Sequence, residues 1–426
     1  MLSFSRPARR LKRAMAKKLR VGIVFGGRSG EHEVSLLSAA SILKAIDRRK
    51  FEVVPIGINK AGHWLMPGAA EGLLEGSATA LGSGVPEEAR AGNIPKAQKK
   101  LRAGDPAATP GARVLAEGQP ALLAPEPATV AVTHSGVTVL ESHTALSGQS
   151  LDVVFPVLHG TFGEDGTIQG LFELAGMAYV GSGVLGSAAG MDKDVMKRIF
   201  AQAKLPMVKH ETLLRAEWER APKKAIAQME AALAYPMFVK PANAGSSVGI
   251  SKAHDRKELK AALDLAARYD RKLVVEQSVG GKKTKARELE VAVLGNDSPK
   301  ASVVGEIIPG REFYDYEAKY LCEGSKAVIP ALLSKAEAKQ IREMAIAAFR
   351  ACDLSGLARV DFLMEPDGKR RIFVNEVNTM PGFTKISMYP KLWEATGLSY
   401  KELITRLIEL ALERQAEKCR TVYSRE

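Results

Sequence analysis

Two short segments near the carboxyl end of the chain decide its fold. Residues 357–364 read Leu-Ala-Arg-Val-Asp-Phe-Leu-Met, and residues 371–378 read Arg-Ile-Phe-Val-Asn-Glu-Val-Asn. Both segments are predicted strands, and Gly368 lies in the turn that would join them. The pattern therefore predicts a hairpin that carries polar side chains along two mainly apolar strands.

The polar residues of this hairpin predict a magnesium site. Residues two apart on a strand share a face, so Arg359 and Asp361 point one way together, and so do Glu376 and Asn378. Two carboxylates and an amide oxygen suit a Mg²⁺ ion that holds phosphates, and an adjacent arginine can bind a carboxylate or phosphate through two hydrogen bonds. The alternative, an exposed polar face, would leave unpaired charges among apolar neighbours at a cost of several kcal/mol each.

A second segment, residues 238–249, reads Phe-Val-Lys-Pro-Ala-Asn-Ala-Gly-Ser-Ser-Val-Gly and predicts a phosphate-binding loop. A strand ends at Lys240, and the backbone N–H groups and serine hydroxyls of the small loop that follows can donate to phosphate. A plain hairpin turn is the alternative. Residues 181–186 match G-x-G-x-x-G, but the acid expected about 20 residues later is missing, which disfavours a dinucleotide site.

Three further candidates lie at strand ends or helix starts, where open α/β sheets bind ligands. Glu31 follows a glycine-rich turn, and its alternative role is to complement a helix dipole. His159 precedes a glycine at a strand end, and a structural histidine is the alternative. Lys193 lies at a helix start, where a phosphate contact and a plain surface charge fit the sequence equally well.

The order of elements predicts an α/β fold that becomes α+β in the C-terminal part. Apolar strands at 18–27 and 51–58 enclose a helix at 34–46, which predicts a parallel sheet. Residues 67–130 are rich in Ala, Gly and Pro, so we expect an irregular insertion there. Further predicted strands lie at 151–158, 178–180, 235–240, 249–252, 273–277, 289–294 and 303–308.

Composition and charge exclude several classes of protein. The 426 residues are 46% hydrophobic and 26% charged, which is typical of a globular chain of two or three domains, and no apolar run reaches the ~18 residues that span a membrane. The net charge of +13 suggests an alternative function, that of a non-catalytic protein that binds nucleotides or nucleic acid. A basic stripe interleaved with aromatic residues is missing, which argues against nucleic acid as a partner.

Part of the positive charge belongs to the start of the chain. The first twenty residues hold eight Lys or Arg residues and no acid. We expect residues 1–18 to form a basic tail that is disordered or not translated. The three cysteines lack the spacing of metal ligands, which fits free thiols and a cytoplasmic location.

Seven segments together resemble the D-alanine–D-alanine ligase family of ATP-grasp enzymes. They occur in the family order and span about residues 19–415. The segments are Phe-Gly-Gly-Arg-Ser-Gly-Glu-His-Glu-Val-Ser (25–35), His-Gly-Thr-Phe-Gly-Glu-Asp-Gly (159–166), Gly-Ser-Gly-Val to Met-Asp-Lys (181–193), Lys-Pro to Gly-Ser-Ser-Val-Gly (240–249), Phe-Tyr-Asp-Tyr-Glu-Ala-Lys-Tyr (313–320), Ala-Arg-Val-Asp (358–361) and Asn-Glu-Val-Asn-Thr-Met-Pro-Gly onwards (375–391).

The resemblance implies three domains around one cleft, with ATP between the last two. A parallel-sheet substrate domain would span residues 19–190, a central ATP-grasp subdomain 191–278, and a C-terminal ATP-grasp subdomain 279–426. The implied reaction joins two D-alanines into D-alanyl-D-alanine, with ADP and phosphate as by-products and an acyl phosphate as intermediate, for peptidoglycan precursors. The family also implies a homodimer.

The resemblance assigns the nucleotide site residue by residue. The phosphates would be bound by Lys193, Lys240, Ser246, Ser247 and Lys319, the adenine by Glu276 and Val279, and the ribose by Glu288. Two Mg²⁺ (or Mn²⁺) ions would be bound by Asp361, Glu376 and Asn378. Residues 280–286 look like an insertion beside this site, and Lys385 occupies a position where we expect a small polar residue.

The D-alanine site is assigned in the same way. The residues implied to bind the two substrates are Glu31, His159, Arg359, Gly382 and Ser387, and those implied to act in catalysis are Glu31, Ser246, Tyr320, Arg359 and Gly382. Glu31 would bind the first ammonium group, and Arg359 and the Gly382 N–H would stabilise the tetrahedral intermediate. Tyr320 is neutral where relatives that use D-lactate commonly carry His, so we expect an amine acceptor.

Overall fold

The computed structural model describes residues 18–65, 67–82, 129–133, 136–140, 151–280, 284–308, 326–384 and 386–424. Most of the predicted basic tail and most of the predicted insertion fall outside these residues. The segment that holds Lys319 and Tyr320 also lies outside them, as does Lys385.

The described elements are numbered in chain order. The strands are β1 (Leu19–Gly26), β2 (Phe51–Ile58), β3 (Trp64–Leu65), β4 (Thr129–Thr133), β5 (Gly136–Leu140), β6 (Val153–Val157), β7 (His210–Leu214), β8 (Met237–Pro241), β9 (Ser251–Ala253), β10 (Lys272–Gln277), β11 (Arg287–Gly295), β12 (Lys300–Ile308), β13 (Lys326–Val328), β14 (Gly356–Met364) and β15 (Ile372–Asn378). The helices are α1 (His32–Ala45), α2 (Pro67–Gly82), α3 (Thr167–Leu174), α4 (Val184–Met191), α5 (Lys193–Gln202), α6 (Arg215–Arg220), α7 (Pro222–Ala232), α8 (Arg256–Ala266), α9 (Lys335–Ala351), α10 (Met388–Thr396) and α11 (Tyr400–Lys418).

The N-terminal part forms a sheet with the strand order β3-β2-β1-β6. β1 pairs in parallel with β2 on one side and with β6 on the other, while β3 adds an antiparallel edge. β1 and β6 are buried along almost their whole length, as expected for parallel strands whose two faces are both covered. The predicted parallel sheet is therefore confirmed, and the carboxyl ends of β1 and β6 lead into the loops that hold Glu31 and His159.

Two predictions in this part are wrong. Residues 67–82, predicted to be irregular, form α2, because Ala and Leu favour a helix and Ala70 is completely buried against Gly57 of β2. The predicted strand at 178–180 reduces to a bridge between Tyr179 and Val154, since the chain turns at Gly181, whose φ is +104°.

Two antiparallel sheets follow, and both are built from strands that contact a helical layer. One has the order β7-β10-β8-β9 and packs its apolar face against α7 and α8. The other has the order β13-β12-β11-β14-β15 and packs against α9. Strand pairing of this kind leaves one face of each sheet free for polar residues, and the polar faces of the two sheets line a common cleft.

The predicted hairpin is confirmed as β14 and β15. Arg359 lies opposite Asn378 and Asp361 lies opposite Glu376, and an irregularity in register follows Asp361. The two polar pairs inferred from the sequence therefore share one face at one level of the sheet. Among the described residues, the helices are too short or too polar to cross a bilayer.

Candidate active site

A cavity of about 170 Å³ lies between the two antiparallel sheets. Its walls include five of the eight residues predicted to bind ATP, which come from β8, β10, β11 and the loops beside them. These are Lys240, Ser247, Glu276, Val279 and Glu288. The predicted metal ligands Asp361 and Glu376 and the predicted catalytic Arg359 also line this cavity, from β14 and β15. The cavity therefore brings cationic and carboxylate groups together around one space.

Lys193 and Ser246 lie in a smaller adjoining pocket beneath the loop that follows β8. The Lys193 ammonium donates to the Ala244 carbonyl (2.8 Å) and lies 3.9 Å from the Glu376 carboxylate. Burial lowers the pKa of Lys193, although the charge of Glu376 partly opposes this. Because the side chain is buried, Lys193 is not a plain surface charge, and the phosphate contact stays a prediction.

The loop after β8 has an unusual backbone. Ser246 and Ser247 both have positive φ angles, 46° and 60°, which residues with a side chain rarely adopt. The Ser246 hydroxyl donates to Glu31 Oε1, and Gly245 passes so close to Glu31 that a Cβ atom there would collide with its carboxylate. This contact joins the loop to the N-terminal part of the chain and supports the prediction that Glu31 and Ser246 act together.

The hairpin carboxylates have the chemistry of a divalent metal site. Arg359 donates to both oxygens of Asp361 (2.7 and 2.6 Å), and Asn378 Nδ2 donates to Asp361 Oδ2 (2.9 Å). In the described part of the chain, His, Cys, Asp and Glu residues form no group of three that could hold a metal. An amide oxygen can serve as a further ligand, and turning the Asn378 amide would present its oxygen beside Asp361 and Glu376.

A second pocket lies next to the nucleotide cleft. It is lined by every residue predicted to bind D-alanine, and these residues come from three separate parts of the chain. They are Glu31, His159, Arg359, Gly382 and Ser387, with Ser246 beside them. The pocket therefore unites residues that are more than 350 positions apart in the sequence.

Arg359 lies where the two cavities meet, since it lines both. Besides Asp361 it contacts the carboxylate of Glu290, whose oxygen lies 3.2 Å from Arg359 Nε. Burial alone would lower the pKa of Arg359, but the charges of Asp361 and Glu290 outweigh it and raise the pKa well above the usual value. The guanidinium is thus a permanent cation held in a fixed orientation.

His159 belongs to the wall of the pocket. Its Nδ1 lies 2.9 Å from the Met380 carbonyl and its Nε2 lies 3.3 Å from the Ser38 hydroxyl, which also accepts from the Phe383 N–H. Burial lowers the pKa of His159. A neutral ring that donates from Nδ1 and accepts at Nε2 fits both contacts, so this side chain orients the loop that carries Gly382.

Sequence reasoning missed Glu164 and Glu290, which also line the D-alanine pocket. Glu164 accepts hydrogen bonds from the Gly160 N–H (2.8 Å) and the Met380 N–H (2.9 Å). Alternation along β11 from Glu288 was a signal for Glu290, whereas no local pattern separates Glu164 from Asp165. Glu164 joins two loops of the pocket that are distant in sequence.

Glu164 predicts a pH dependence of stability. Burial and the charge of Glu31 raise its pKa from 4.5 to about 8. Between these values the folded protein holds a proton that the unfolded chain has released, so the free energy of unfolding falls as pH rises, by about 1 kcal/mol per pH unit. In Glu164→Gln the melting temperature should therefore decrease less from pH 5 to pH 8 than in the wild type. Parallel melting profiles over this range would contradict the assignment.

The folds of the sheets and the residues between them define the class of protein. Two antiparallel sheets that enclose a cleft lined by lysines and carboxylates, beside a parallel-sheet domain, are the architecture of an ATP-grasp ligase. The family described as D-ala D-ala ligase N-terminus matches residues 20–182, and D-ala D-ala ligase C-terminus matches residues 199–409. The chain belongs to the D-alanine–D-alanine ligase family.

Similar proteins cover the chain almost from end to end. The D-alanine–D-alanine ligase of Heliobacterium modesticaldum is 49% identical over 96% of this chain and 98% of its own, and that of Natranaerobius thermophilus is 48% identical over 95% and 98%. The structure of the D-alanine–D-alanine ligase from Coxiella burnetii has a TM-score of 0.70 at 33% identity and covers 95% of this chain and 97% of its own. The VanG D-Ala:D-Ser ligase from Enterococcus faecalis has a TM-score of 0.69 at 33% identity, with 93% and 100% covered.

Proposed function

We propose that this protein joins two D-alanines into D-alanyl-D-alanine, with release of ADP and phosphate, to supply peptidoglycan precursors. Membership of the D-alanine–D-alanine ligase family supports the reaction. The observation that carries the proposal is the pocket in which Glu31, Arg359, Gly382 and Ser387 meet beside the nucleotide cleft. Because the reaction consumes ATP, we assign it to the cytoplasm.

The first half of the reaction activates one D-alanine. Glu31 binds its ammonium group, and the carboxylate is directed towards the γ-phosphate of ATP. Lys193 and Lys240 bind the phosphates of ATP. One carboxylate oxygen attacks the γ-phosphorus, the bond to the β-phosphate oxygen breaks, and ADP leaves with that electron pair. The product is D-alanyl phosphate, in which the bridging oxygen comes from the amino acid.

The second half forms the peptide bond. Ser387 binds the carboxylate of the second D-alanine, whose amine attacks the carbonyl carbon of the acyl phosphate. Arg359 and the Gly382 N–H donate to the oxyanion that develops there. When the carbon–oxygen bond to phosphate breaks, inorganic phosphate leaves with the bridging oxygen and takes up the proton that the amine nitrogen loses. The loop of Ser246 excludes water, which would otherwise hydrolyse the intermediate.

We propose that two Mg²⁺ or Mn²⁺ ions are held by Asp361, Glu376 and Asn378. The oxygen donors on one face of the β14–β15 hairpin support this set. Bound ions would neutralise the negative charge of the transferring phosphoryl group.

The direct test is ADP release by the purified protein with Mg²⁺-ATP, with product masses measured. D-alanine alone, L-alanine alone, and D-alanine mixed with D-lactate or D-serine are compared. We expect D-alanyl-D-alanine as the main product, because the neutral Tyr320 does not repel an ammonium acceptor. We also expect no turnover on L-alanine. Preferential formation of a D-lactate or D-serine product would refute the choice of acceptor. Absence of turnover with ATP still bound would refute the reaction.

The domain boundaries predicted from the sequence stay our proposal: 19–190, 191–278 and 279–426. Each of the three larger sheets has all of its strands within one of these ranges, which supports the division. ATP would then bind between the second and third domains, and D-alanine would contact all three.

We propose a homodimer that forms through an apolar surface on helices α3, α4 and α5. The helices α3, α4 and α5 pack in succession, and their outer faces carry Leu171, Leu174, Val184, Leu185 and Val195. Leu174 is 91% exposed and Leu185 is 67% exposed, which is costly for leucines that nothing covers.

The surface makes a prediction about assembly. Leu174→Asp should convert the dimer to a monomer in light scattering, because a charge would then have to be buried at the contact. Leu332→Asp is the matched control, since Leu332 is 80% exposed and lies in the segment between β13 and α9, on none of these three helices. A wild-type monomer, or a dimer that persists in Leu174→Asp, would contradict this surface.

A further inference from the structure

Lys197 is a buried lysine that the proposed mechanism does not use. It lies on α5 one turn after Lys193, and its side chain is 0% exposed. It lines neither the nucleotide cleft nor the two pockets beside it. The Lys197 ammonium cannot reach a ligand directly, so any effect on the reaction must pass through the groups that it contacts.

The contact of Lys197 is the carboxylate of Glu276. Lys197 Nζ lies 2.8 Å from Glu276 Oε1, and Lys240 Nζ lies 2.6 Å from Glu276 Oε2. Glu276 is only 2% exposed. Burial alone would raise the pKa of Glu276, but the charges of Lys197 and Lys240 outweigh it and hold the pKa well below the usual range. One buried carboxylate is therefore shared by two lysines, and one of the two lines the nucleotide cleft.

The charges of this group determine what Lys240 can do. A pair of Glu276 and Lys240 alone would have a net charge of zero, because the carboxylate would neutralise the charge of Lys240. Addition of Lys197 gives the group of three a net charge of +1. Coulomb attraction between this group and a polyphosphate is strong in a partly buried cleft, where the effective dielectric constant is far below that of water.

We propose that Lys197 is a positioning residue that neutralises Glu276, so that the charge of Lys240 stays available to the phosphates of the nucleotide. The proposal rests on the nucleotide cleft of the proposed function. A buried lysine and glutamate are rarely better for stability than apolar residues of the same size. A role in nucleotide binding would explain why charged residues are present at these positions. A purely structural role would be served equally well by methionine.

The test is Lys197→Met, which keeps the length of the side chain and removes its charge. Dissociation constants for ATP, ADP and adenosine are measured by titration calorimetry. We expect ATP and ADP to bind about tenfold more weakly, because they carry phosphates. Adenosine should change less than twofold, because it has no phosphate and Lys240 still holds the Glu276 carboxylate beside the adenine pocket. Equal weakening of all three ligands, or unchanged binding of ATP, would overturn the proposal.

A second pair of variants covers the case in which Lys197→Met alone does not fold. In Glu276→Gln the carboxylate charge is gone, and a buried lysine without a counterion is held neutral. Lys197→Met should then have less than a twofold effect on ADP affinity when it is added to Glu276→Gln. A tenfold loss in this background would overturn the proposal, because it would show that Lys197 does not act through Glu276.

These measurements are separable from the ligase assay. A wild-type protein that binds ATP but does not join D-alanines would refute the reaction and leave the charge argument fully testable through ADP. Selective loss of phosphate binding in Lys197→Met would then still support the role of Lys197. A wild-type protein with no affinity for ATP or ADP would refute the nucleotide cleft and this role together.

Discussion

Arg359→Ala should lower kcat by about 10²–10³-fold, which is the scale of losing one donor to an oxyanion. The guanidinium lies where the nucleotide cleft and the D-alanine pocket meet, and Asp361 and Glu290 hold it in one orientation. Its contribution is needed mainly after the carbonyl has become tetrahedral, so kcat should fall more than the KM for D-alanine rises.

Steady-state ligation kinetics check this prediction. Arg371→Ala is the matched control, because Arg371 lies on the same hairpin, is mostly exposed, and contacts Glu365 and the Phe373 ring, neither of which lines the D-alanine pocket. Its turnover should be that of the wild type. Arg359→Lys retains the charge but cannot bind Asp361 in a bidentate manner, so its kcat should fall between those of Arg359→Ala and the wild type. Near-normal turnover in Arg359→Ala would exclude Arg359 from the chemical step.

Glu376→Gln should lower kcat by about 10³-fold, because it removes one of the two carboxylate charges proposed to hold the metal ions. Glutamine has nearly the same shape, so packing on β15 should be preserved. The cause can be measured apart from turnover: the number and affinity of bound Mn²⁺ ions, determined by electron paramagnetic resonance with ATP present, should both decrease.

The control for this variant is Glu365→Gln, which changes a carboxylate near the turn of the same hairpin and should leave Mn²⁺ binding unchanged. A Glu376→Gln protein with wild-type Mn²⁺ binding would refute the proposed ligand. Loss of turnover without loss of Mn²⁺ binding would instead indicate that Glu376 acts by positioning Lys193, whose ammonium lies 3.9 Å away.

The pairing of the active-site hairpin was predictable from sequence because it depends on local rules. Arg359 and Asp361 are two apart on one strand, Glu376 and Asn378 are two apart on the next, and the turn between them is short. The parallel pairing of β1 with β2 followed in the same way from the intervening helix. Signals of this kind are contained in a few dozen neighbouring residues.

The parts that could not be predicted depend on contacts between distant segments. Glu164 accepts from the N–H of Met380, 216 positions away, and nothing near Glu164 in the sequence indicates that partner. Lys197 has the sequence appearance of an ordinary helix lysine, and its burial against Glu276 arises only when the fold brings α5 beside β10. The helix α2 was missed for a different reason: a high content of Ala and Gly fits both an irregular segment and a helix, and burial of Ala70 on β2 decides between them.

Ligation of D-alanine through an acyl phosphate requires one carboxylate oxygen of the substrate to end in inorganic phosphate, and isotope labelling can follow that oxygen. The enzyme is supplied with Mg²⁺-ATP and D-alanine labelled with ¹⁸O in both carboxylate oxygens, and the released phosphate and the dipeptide are analysed by mass spectrometry. We expect one ¹⁸O atom in each phosphate and the loss of one ¹⁸O from the new amide carbonyl, because the bridging oxygen leaves with the phosphate. Unlabelled phosphate, or release of AMP and pyrophosphate, would contradict this mechanism.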